Sequence, residues 1–355
     1  MLGPLKVTPL AVALFTCVAL SGWLGGYFRS ALGLELSRIF VDDSTYVSNR
    51  LVSVRNGGFA GPKVVVVGGS VARESTPPDG RMKQLIADAY GKDVNFLNLG
   101  SSNQSTLSSL VIVQSLGLGP GDVLLMQYSF KKLDTPAALI RHEYLDPPIV
   151  NSGPGGFRRG TPASIHFGDR LVNELLPDVL LHRSFISNFL ELRSCHLVDL
   201  LMHEQRQFCF REMPVVRHHY EQPLSPSEKI DYVSVIRYSV LPNFLQFHQI
   251  NQQLILQAAA NAADSGATVL FVNPPVDEPE YALQREVDAQ GIFPRLVGEL
   301  AEHGHYLDWR FDDSYESGMF RDSQHMLESG KEVFAMKLVD QFQMLQSGKE
   351  ISNES

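Results

Sequence analysis

The segment Lys63-Val-Val-Val-Val-Gly-Gly-Ser-Val-Ala-Arg-Glu74 decides the fold that we expect for this chain of 355 residues. Its four consecutive valines are typical of a strand that is buried on both faces, as in a parallel sheet. Two glycines end the strand and place Ser70 at a turn. We therefore predict an α/β fold with a serine at the carboxyl end of its first strand.

The rest of the chain repeats this alternation of apolar strands and amphipathic helices, which predicts a parallel sheet covered on both faces. Strands are expected at 64–67, 94–99, 122–128, 267–272 and 306–311. Helices are expected at 82–90, 106–116, 242–263, 282–303 and 328–344. This is the pattern of a three-layer α/β fold of flavodoxin-like type, with one sheet between two layers of helices.

The alternation breaks between Lys131 and Leu241, in a segment rich in Pro, Gly, His and Arg. We predict a large cap inserted at 131–241, over the carboxyl edge of the sheet, where α/β proteins bind ligands. The α/β domain then covers 61–346. The polar residues 347–355 are expected to form a disordered tail.

Residues 1–30 are interpreted as a transmembrane anchor. The stretch from Val7 to Phe28 holds 22 residues and no charge. As a helix it would measure about 33 Å, enough to cross a bilayer. A cleaved signal peptide is the alternative, but its apolar region is usually shorter and ends in small residues. Residues 31–60 are expected to form a stalk.

The main domain is expected outside the cytoplasm, in the periplasm or another extracytoplasmic space. The head before the anchor is short, which favours a single-pass protein in this orientation, although the charges that flank the span are close to balanced. Cys195 and Cys209 allow one disulfide in that compartment, or they remain two free thiols.

Several classes of protein are disfavoured by composition and spacing. The net charge of −9 argues against a nucleic-acid partner, because phosphate neutralisation needs a basic face. The histidines at 218–219 and 303–305 lack further ligands at useful spacing, so we expect no metal site. The glycines before Ser70 lack the G-x-G-x-x-G pattern of a dinucleotide site. We therefore expect no cofactor.

The chemistry that we predict rests on Ser70 together with the late motif Asp322-Ser-Gln-His325. A serine hydroxyl attacks only when a base takes its proton, and a carboxylate must hold that base in the right tautomer. His325 is the predicted base and Asp322 its orienting partner. Each motif alone is weak, since the first fits a tight turn or phosphate loop and the second a solvated turn. Together they are typical of a serine hydrolase or acyltransferase.

At these positions the chain resembles the SGNH (GDSL-like) hydrolase and acyltransferase superfamily. Gly68-Gly-Ser70 matches its first block, with Ser70 as the nucleophile. Asn98-Leu-Gly-Ser-Ser-Asn103 stands where the second block has N-x-x-x-x-G. Asp322-Ser-Gln-His325-Met-Leu-Glu-Ser-Gly330 matches the final block D-x-x-H-x-x-x-x-G. The resemblance covers about 63–130 and 242–345 and leaves the insert outside it.

Two blocks depart from the family pattern. Asn103 replaces the second-block glycine, whose backbone N–H helps to bind the oxyanion, although its own N–H can serve. The third block G-x-N-D is replaced by a segment that contains Gln127 and Ser129, so no asparagine completes the oxyanion hole. Gln127, Ser129 or the Asn103 amide could substitute. Arg73, close to the nucleophile, either forms a surface pair with Glu74 or lines the pocket.

This divergent third block and the N-terminal span resemble the membrane-anchored branch of the superfamily. That branch includes the D-alanyl-transfer protein of teichoic acid synthesis and the periplasmic polysaccharide O-acetyltransferases. The resemblance implies a serine acyltransferase or esterase that acts on a cell-envelope polysaccharide. Its partners would be a glycan acceptor, an acyl donor and a membrane-bound O-acyltransferase. The alternative is a catalytically weak scaffold or binding subunit of a polysaccharide synthesis or export complex.

Overall fold

The computed structural model describes residues 59–346 except 91–92, 103, 138 and 141–221, together with several residues between 46 and 57. The expected anchor, most of the stalk and of the cap, the tail, Asn103 and both candidate disulfide cysteines lie outside the described residues. Within the described ranges, no helix combines the length and the apolar character that crossing a bilayer requires.

The core of the molecule is a parallel sheet of five strands, in the order β2-β1-β3-β4-β5. The strands are β1 (Lys63–Val67), β2 (Asn95–Asn98), β3 (Val123–Gln127), β4 (Thr268–Asn273) and β5 (His305–Asp308). Every pairing in the sheet is parallel. The predicted α/β class with a parallel sheet is therefore confirmed, and each expected strand is present with its ends shifted by a few residues.

Eight helices in the described part of the chain surround the sheet or extend its loops. They are α1 (Ser70–Glu74), α2 (Asp79–Tyr90), α3 (Thr106–Ser115), α4 (Pro226–Val235), α5 (Leu241–Asp264), α6 (Glu278–Ala289), α7 (Ile292–Gly298) and α8 (Glu328–Gln346). Short 3₁₀ turns lie at Phe130–Leu133, Glu299–Glu302 and Ser317–Met319.

The continuous apolar strands bury alternate side chains in two separate cores. Val65 and Val67 of β1 face a core that also holds residues of α3 and α5. Val64 and Val66 face the opposite core, which holds residues of α2 and α8. Because neighbouring strand residues point to opposite faces, a run of four valines fills both cores. This explains why the sequence shows no polar alternation in β1.

Two helices differ from the sequence-based expectation. The helix expected at 282–303 is broken into α6 and α7, because Gly291 adopts φ +70° and begins a new helix. The helix expected at 242–263 continues a longer rod, since the π-helical turn Ile236–Val240 joins α4 to α5. Residues 226–241, which the sequence placed in the cap, therefore form one rod with a helix that packs on the sheet.

The strand order places the Ser70 turn at a topological switch point. From β1 the chain passes to β2 on one side and later to β3 on the other. In open α/β sheets, ligands bind beyond the carboxyl ends of the strands at such a point. The carboxyl ends of β1, β3 and β4 therefore form the edge at which a functional site is expected.

Candidate active site

The structure brings Ser70, His325 and Asp322 into one hydrogen-bonded chain. His325 Nε2 lies 2.9 Å from Ser70 Oγ. The other ring nitrogen of His325, Nδ1, lies 2.8 Å from Asp322 Oδ2. Both contacts fall in the range expected for a nucleophile, a base and an orienting carboxylate. The three residues that the sequence singled out thus lie in the geometry that their predicted roles require.

Asp322 is held by the backbone of its own turn. Its Oδ1 accepts the backbone N–H groups of Gln324 at 2.8 Å and of His325 at 2.9 Å. Burial raises the pKa of the Asp322 carboxyl, but the hydrogen bonds and charge of His325 outweigh burial, so the net pKa is lowered. Asp322 therefore stays ionised and accepts a proton from His325 Nδ1, which leaves Nε2 free to act as a base toward Ser70.

The turn that presents Ser70 is shaped by close packing around Gly68. A Cβ atom added at Gly68 would lie 2.6 Å from the Cβ atoms of both Ala72 and Gln127. The next residue, Gly69, donates its backbone N–H to Gln127 Oε1 at 2.8 Å. The chain therefore leaves β1 in contact with the end of β3, and only glycine at position 68 allows this approach.

Asn98, at the end of β2, fixes the helix that follows the nucleophile. Its Nδ2 donates to the carbonyl of Ala72 at 3.1 Å and to Thr76 Oγ1 at 2.8 Å. Its Oδ1 accepts the backbone N–H of Gly100 at 3.0 Å. A Cβ atom at Gly100 would lie 2.7 Å from the backbone nitrogen of Arg73. The asparagine and glycine of the second block thus support α1 rather than contact the nucleophile.

Gln127 and Ser129 occupy the place of the missing third-block asparagine. The Oε1 atom of Gln127 accepts from the nucleophile turn, so its Nε2 keeps both of its protons for other partners. The side chain of Ser129 is buried. Its Oγ has no hydrogen-bond partner among the residues that the structure describes. The last residue of β3 is therefore the third-block side chain that contacts the Ser70 turn.

Arg73 is not a solvated surface residue. It is 4% exposed and pairs with Glu74, which is 1% exposed. The surface pair that the sequence suggested is therefore wrong, because α1 directs both side chains into the protein. Asn103, the other predicted site residue, lies outside the described part of the chain.

A buried ion pair that the sequence analysis missed lies beside the triad turn. Lys131, which follows β3, binds Glu280 in the first turn of α6. Burial lowers the pKa of Lys131, and the charge of Glu280 opposes that effect. Glu280 Oε2 accepts the hydroxyl of Ser323, which stands between Asp322 and His325, at 2.6 Å. The charge pair therefore ties the third-block segment to the turn that holds the base.

A second ion pair fastens the same turn to α4. Lys229 donates to Asp277 Oδ2 at 2.6 Å, and both side chains are buried. The backbone N–H of Asp277 donates to the carbonyl of Ser323 at 2.9 Å. No spacing in the sequence signals these contacts, because they join segments that are far apart along the chain.

A small cleft lies beside the triad at the carboxyl ends of β3 and β4 and encloses about 210 Å³. Its wall includes Val71, next to the nucleophile, and Gln324, next to His325. Gln127, Ser129 and Lys131 also line it. Across the described ranges, no cluster of His, Cys, Asp and Glu side chains is arranged to hold a metal ion.

Comparison of the sequence with protein-family models and with curated proteins returns no match. The chemistry proposed below therefore rests on the geometry of these residues and on the motifs that they form.

Proposed function

We propose that this protein is a serine acyltransferase or esterase that uses Ser70, His325 and Asp322 as a catalytic triad. The hydrogen-bonded chain from Ser70 Oγ through both nitrogens of His325 to Asp322 supports this proposal. Its three side chains come from opposite ends of the α/β domain. A chance contact between solvated turns would not also bury the carboxylate and point both ring nitrogens at suitable partners.

The reaction proceeds in two half-reactions. Ser70 Oγ attacks the carbonyl carbon of an acyl donor while His325 Nε2 accepts the hydroxyl proton. The bond to the leaving oxygen breaks, that oxygen receives the proton from His325, and the acyl group stays on Ser70. An acceptor hydroxyl then loses its proton to His325 and attacks the acyl carbon, which restores Ser70. A sugar acceptor makes the protein a transferase, and water makes it an esterase.

The oxyanion that forms during each attack needs hydrogen-bond donors. The backbone N–H of Ser70 is the first of α1, where such groups lack an intrahelical acceptor. Gln127 Nε2 is the second donor in this proposal, because its partner atom Oε1 already contacts the nucleophile turn. A donor of this kind contributes roughly 3–4 kcal/mol to transition-state stabilisation.

The cellular role that we propose is acyl transfer or ester cleavage on a cell-envelope polysaccharide, by an SGNH-type domain outside the cytoplasm. The order of the matching blocks along 63–130 and 242–345 and the uncharged stretch from Val7 to Phe28 support it. The partners are then a glycan acceptor, an acyl donor and a membrane-bound O-acyltransferase, and residues 1–30 anchor the protein as a single span.

A scaffold or binding subunit of a polysaccharide synthesis or export complex is the second candidate. The third block favours it, because the segment after β3 lacks the asparagine that completes the family's oxyanion hole. An enzyme needs Ser70 to react, whereas a scaffold needs only the folded surface.

A serine-reactive fluorophosphonate distinguishes these two candidates. We expect covalent labelling of the wild-type protein at Ser70 and none in Ser70→Ala, with His325→Ala strongly impaired because it lacks the base. Ser227→Ala, which alters an exposed serine on α4, is the matched control and should label normally. Full complementation of a deletion strain by Ser70→Ala, at normal protein levels, would exclude the enzyme.

A further inference from the structure

The cleft beside the triad contains two buried hydrogen-bonding groups without partners. Ser129 is 3% exposed and Gln324 is 6% exposed. Neither Ser129 Oγ nor Gln324 Nε2 has a hydrogen-bond partner among the described residues, and both residues line the cleft. An unsatisfied buried polar group costs about 1–3 kcal/mol. Such a cost is tolerated where a ligand or an ordered water supplies the missing bond.

Both groups ask for the same kind of partner. Gln324 Nε2 is a donor only, and the Ser129 hydroxyl can donate as well. An oxygen with free lone pairs satisfies either of them. The rest of the wall includes apolar side chains of Val71, Pro274 and Val276, which suit carbon atoms. The cleft is therefore complementary to a short carbon chain that carries an acceptor oxygen.

The charge of the cleft limits the ligand further. Lys131 in its wall is neutralised by Glu280. The two carboxylate oxygens of Glu280 already accept from Lys131, Gln284 and Ser323. Hence no free carboxylate among the cleft's lining residues is left to receive an ammonium group, and burying an unpaired charge is costly. The balance favours a neutral ligand over a cationic one.

We propose that this cleft is the acyl subsite of the enzyme and selects a short, uncharged acyl group that carries an additional acceptor oxygen, bound by Gln324 Nε2 and Ser129 Oγ. The inference rests on the proposed function, since it takes Ser70 as the atom that receives the acyl group. Val71 and Gln324 adjoin Ser70 and His325 in the chain, so an acyl group on Ser70 Oγ can extend into the cleft. An aminoacyl group with a protonated amine is a poor substrate.

Two p-nitrophenyl esters test the subsite on the full-length protein. Methoxyacetate and butyrate have the same number of heavy atoms, and an ether oxygen in the first replaces a methylene in the second. Attack by Ser70 forms the acyl ester and releases p-nitrophenol from either compound. The measured quantity is the ratio of kcat/KM for methoxyacetate to kcat/KM for butyrate. The intrinsic reactivity of the esters cancels when this ratio is compared between variants.

We expect the ratio to fall about tenfold in Gln324→Met and in Ser129→Ala, the change that one lost neutral hydrogen bond produces. Gln246→Met, the same substitution at an exposed position of α5, should leave the ratio as in wild type. The p-nitrophenyl ester of alanine should react more slowly than that of isobutyrate once each is divided by its rate with hydroxide.

Each remaining outcome decides between the two proposals. Turnover with an unchanged ratio in Ser129→Ala and in Gln324→Met means that the cleft holds water only, which overturns the subsite and leaves the triad intact. Faster reaction with the alanine ester also overturns it. Absence of both ester turnover and fluorophosphonate labelling in the wild type overturns the proposed function, and the subsite with it. Ser129→Ala removes a single oxygen, so it decides the question if Gln324→Met does not fold.

Discussion

His325 has a different partner on each side of its ring, and this asymmetry defines its role. The carboxylate of Asp322 receives Nδ1–H, while Nε2 faces the Ser70 hydroxyl. The lowered pKa of Asp322 means that the carboxylate is charged at neutral pH. A charged partner holds one tautomer of the ring and stabilises the imidazolium that forms when Ser70 reacts.

Asp322→Asn tests this arrangement without a change of shape. We expect a loss of about 10³–10⁴ in the rate of fluorophosphonate labelling, because an amide at this position favours the wrong tautomer of His325. The backbone N–H groups of Gln324 and His325 keep an oxygen acceptor, so the turn should persist. Asp313→Asn, at an exposed position, is the control. A labelling rate within about threefold of wild type would refute the orienting role.

Gln127→Glu separates the two functions of the third-block residue. The variant keeps an oxygen to accept the Gly69 N–H but loses the Nε2 donor. We expect kcat for ester turnover to fall at least about 100-fold, as for the loss of one oxyanion donor, while the protein stays folded. Wild-type kcat in this variant would exclude Gln127 as an oxyanion donor.

The turns and helices around the triad are joined by buried charges rather than by apolar packing alone. The first turn of α6 supplies both Asp277 and Glu280, which bind lysines from two other segments. Removing one partner of a buried pair leaves the other charge unpaired, which is costly. The stability of the triad turn therefore depends on α6, an element that contributes no residue to the triad.

Glu280→Gln should destabilise the protein by about 3–5 kcal/mol, because Lys131 would remain buried without its counter-charge. Urea denaturation measures this difference in the free energy of unfolding. Glu286→Gln is the matched control. It breaks the pair with Arg237, whose side chains are 38% and 42% exposed, so it should cost less than about 1 kcal/mol. Equal effects of the two substitutions would contradict the structural role of Glu280.

The segment after β3 contains a carboxyl group that should make stability depend on pH. Burial raises the pKa of Asp134 from 3.8 to about 6, although Lys132 opposes the shift. The native state therefore binds this proton more tightly than the unfolded chain. The resulting stability is complete below the unfolded pKa of 3.8 and is lost as pH rises through about 6.

Asp134→Asn removes this titration. We expect the variant to be more stable than wild type at pH 8, by at most about 3 kcal/mol, and equally stable below the unfolded pKa. Unfolding by urea at both pH values gives the comparison. A stability gain that is the same at both pH values would show that charge is not its cause.

The sequence predicted those features that depend on local pattern. The valines of β1 indicated a doubly buried strand, and the residue types in Ser70 and Asp322-Ser-Gln-His325 indicated a triad. It failed where distant segments decide the outcome. The Lys131–Glu280–Ser323 contacts join three separate parts of the chain. The break before α7 depends on a left-handed glycine inside an otherwise helical pattern, and the burial of Arg73 depends on how α1 packs.

At the scale of the whole molecule, the sheet gathers the ends of β1, β3 and β4 at one edge, and the site lies there. Our interpretation of residues 1–30 as an anchor places this edge outside the cytoplasm. A reporter that is active only in the periplasm, fused after Ser355, should therefore be active, whereas a reporter that works only in the cytoplasm should be silent. Activity of the cytoplasmic reporter would reverse the proposed topology.

The hydrogen bond between Ser70 and His325 spans 255 positions of sequence. A ribosome therefore releases the nucleophile long before the base, and strands β3 to β5 must form between the two events. A chain cut short by a premature stop codon would carry Ser70 on its first strand with no base to activate it. Reactivity is thus acquired late in synthesis, after most of the domain exists, which protects the cell from an incomplete enzyme that consumes acyl donors.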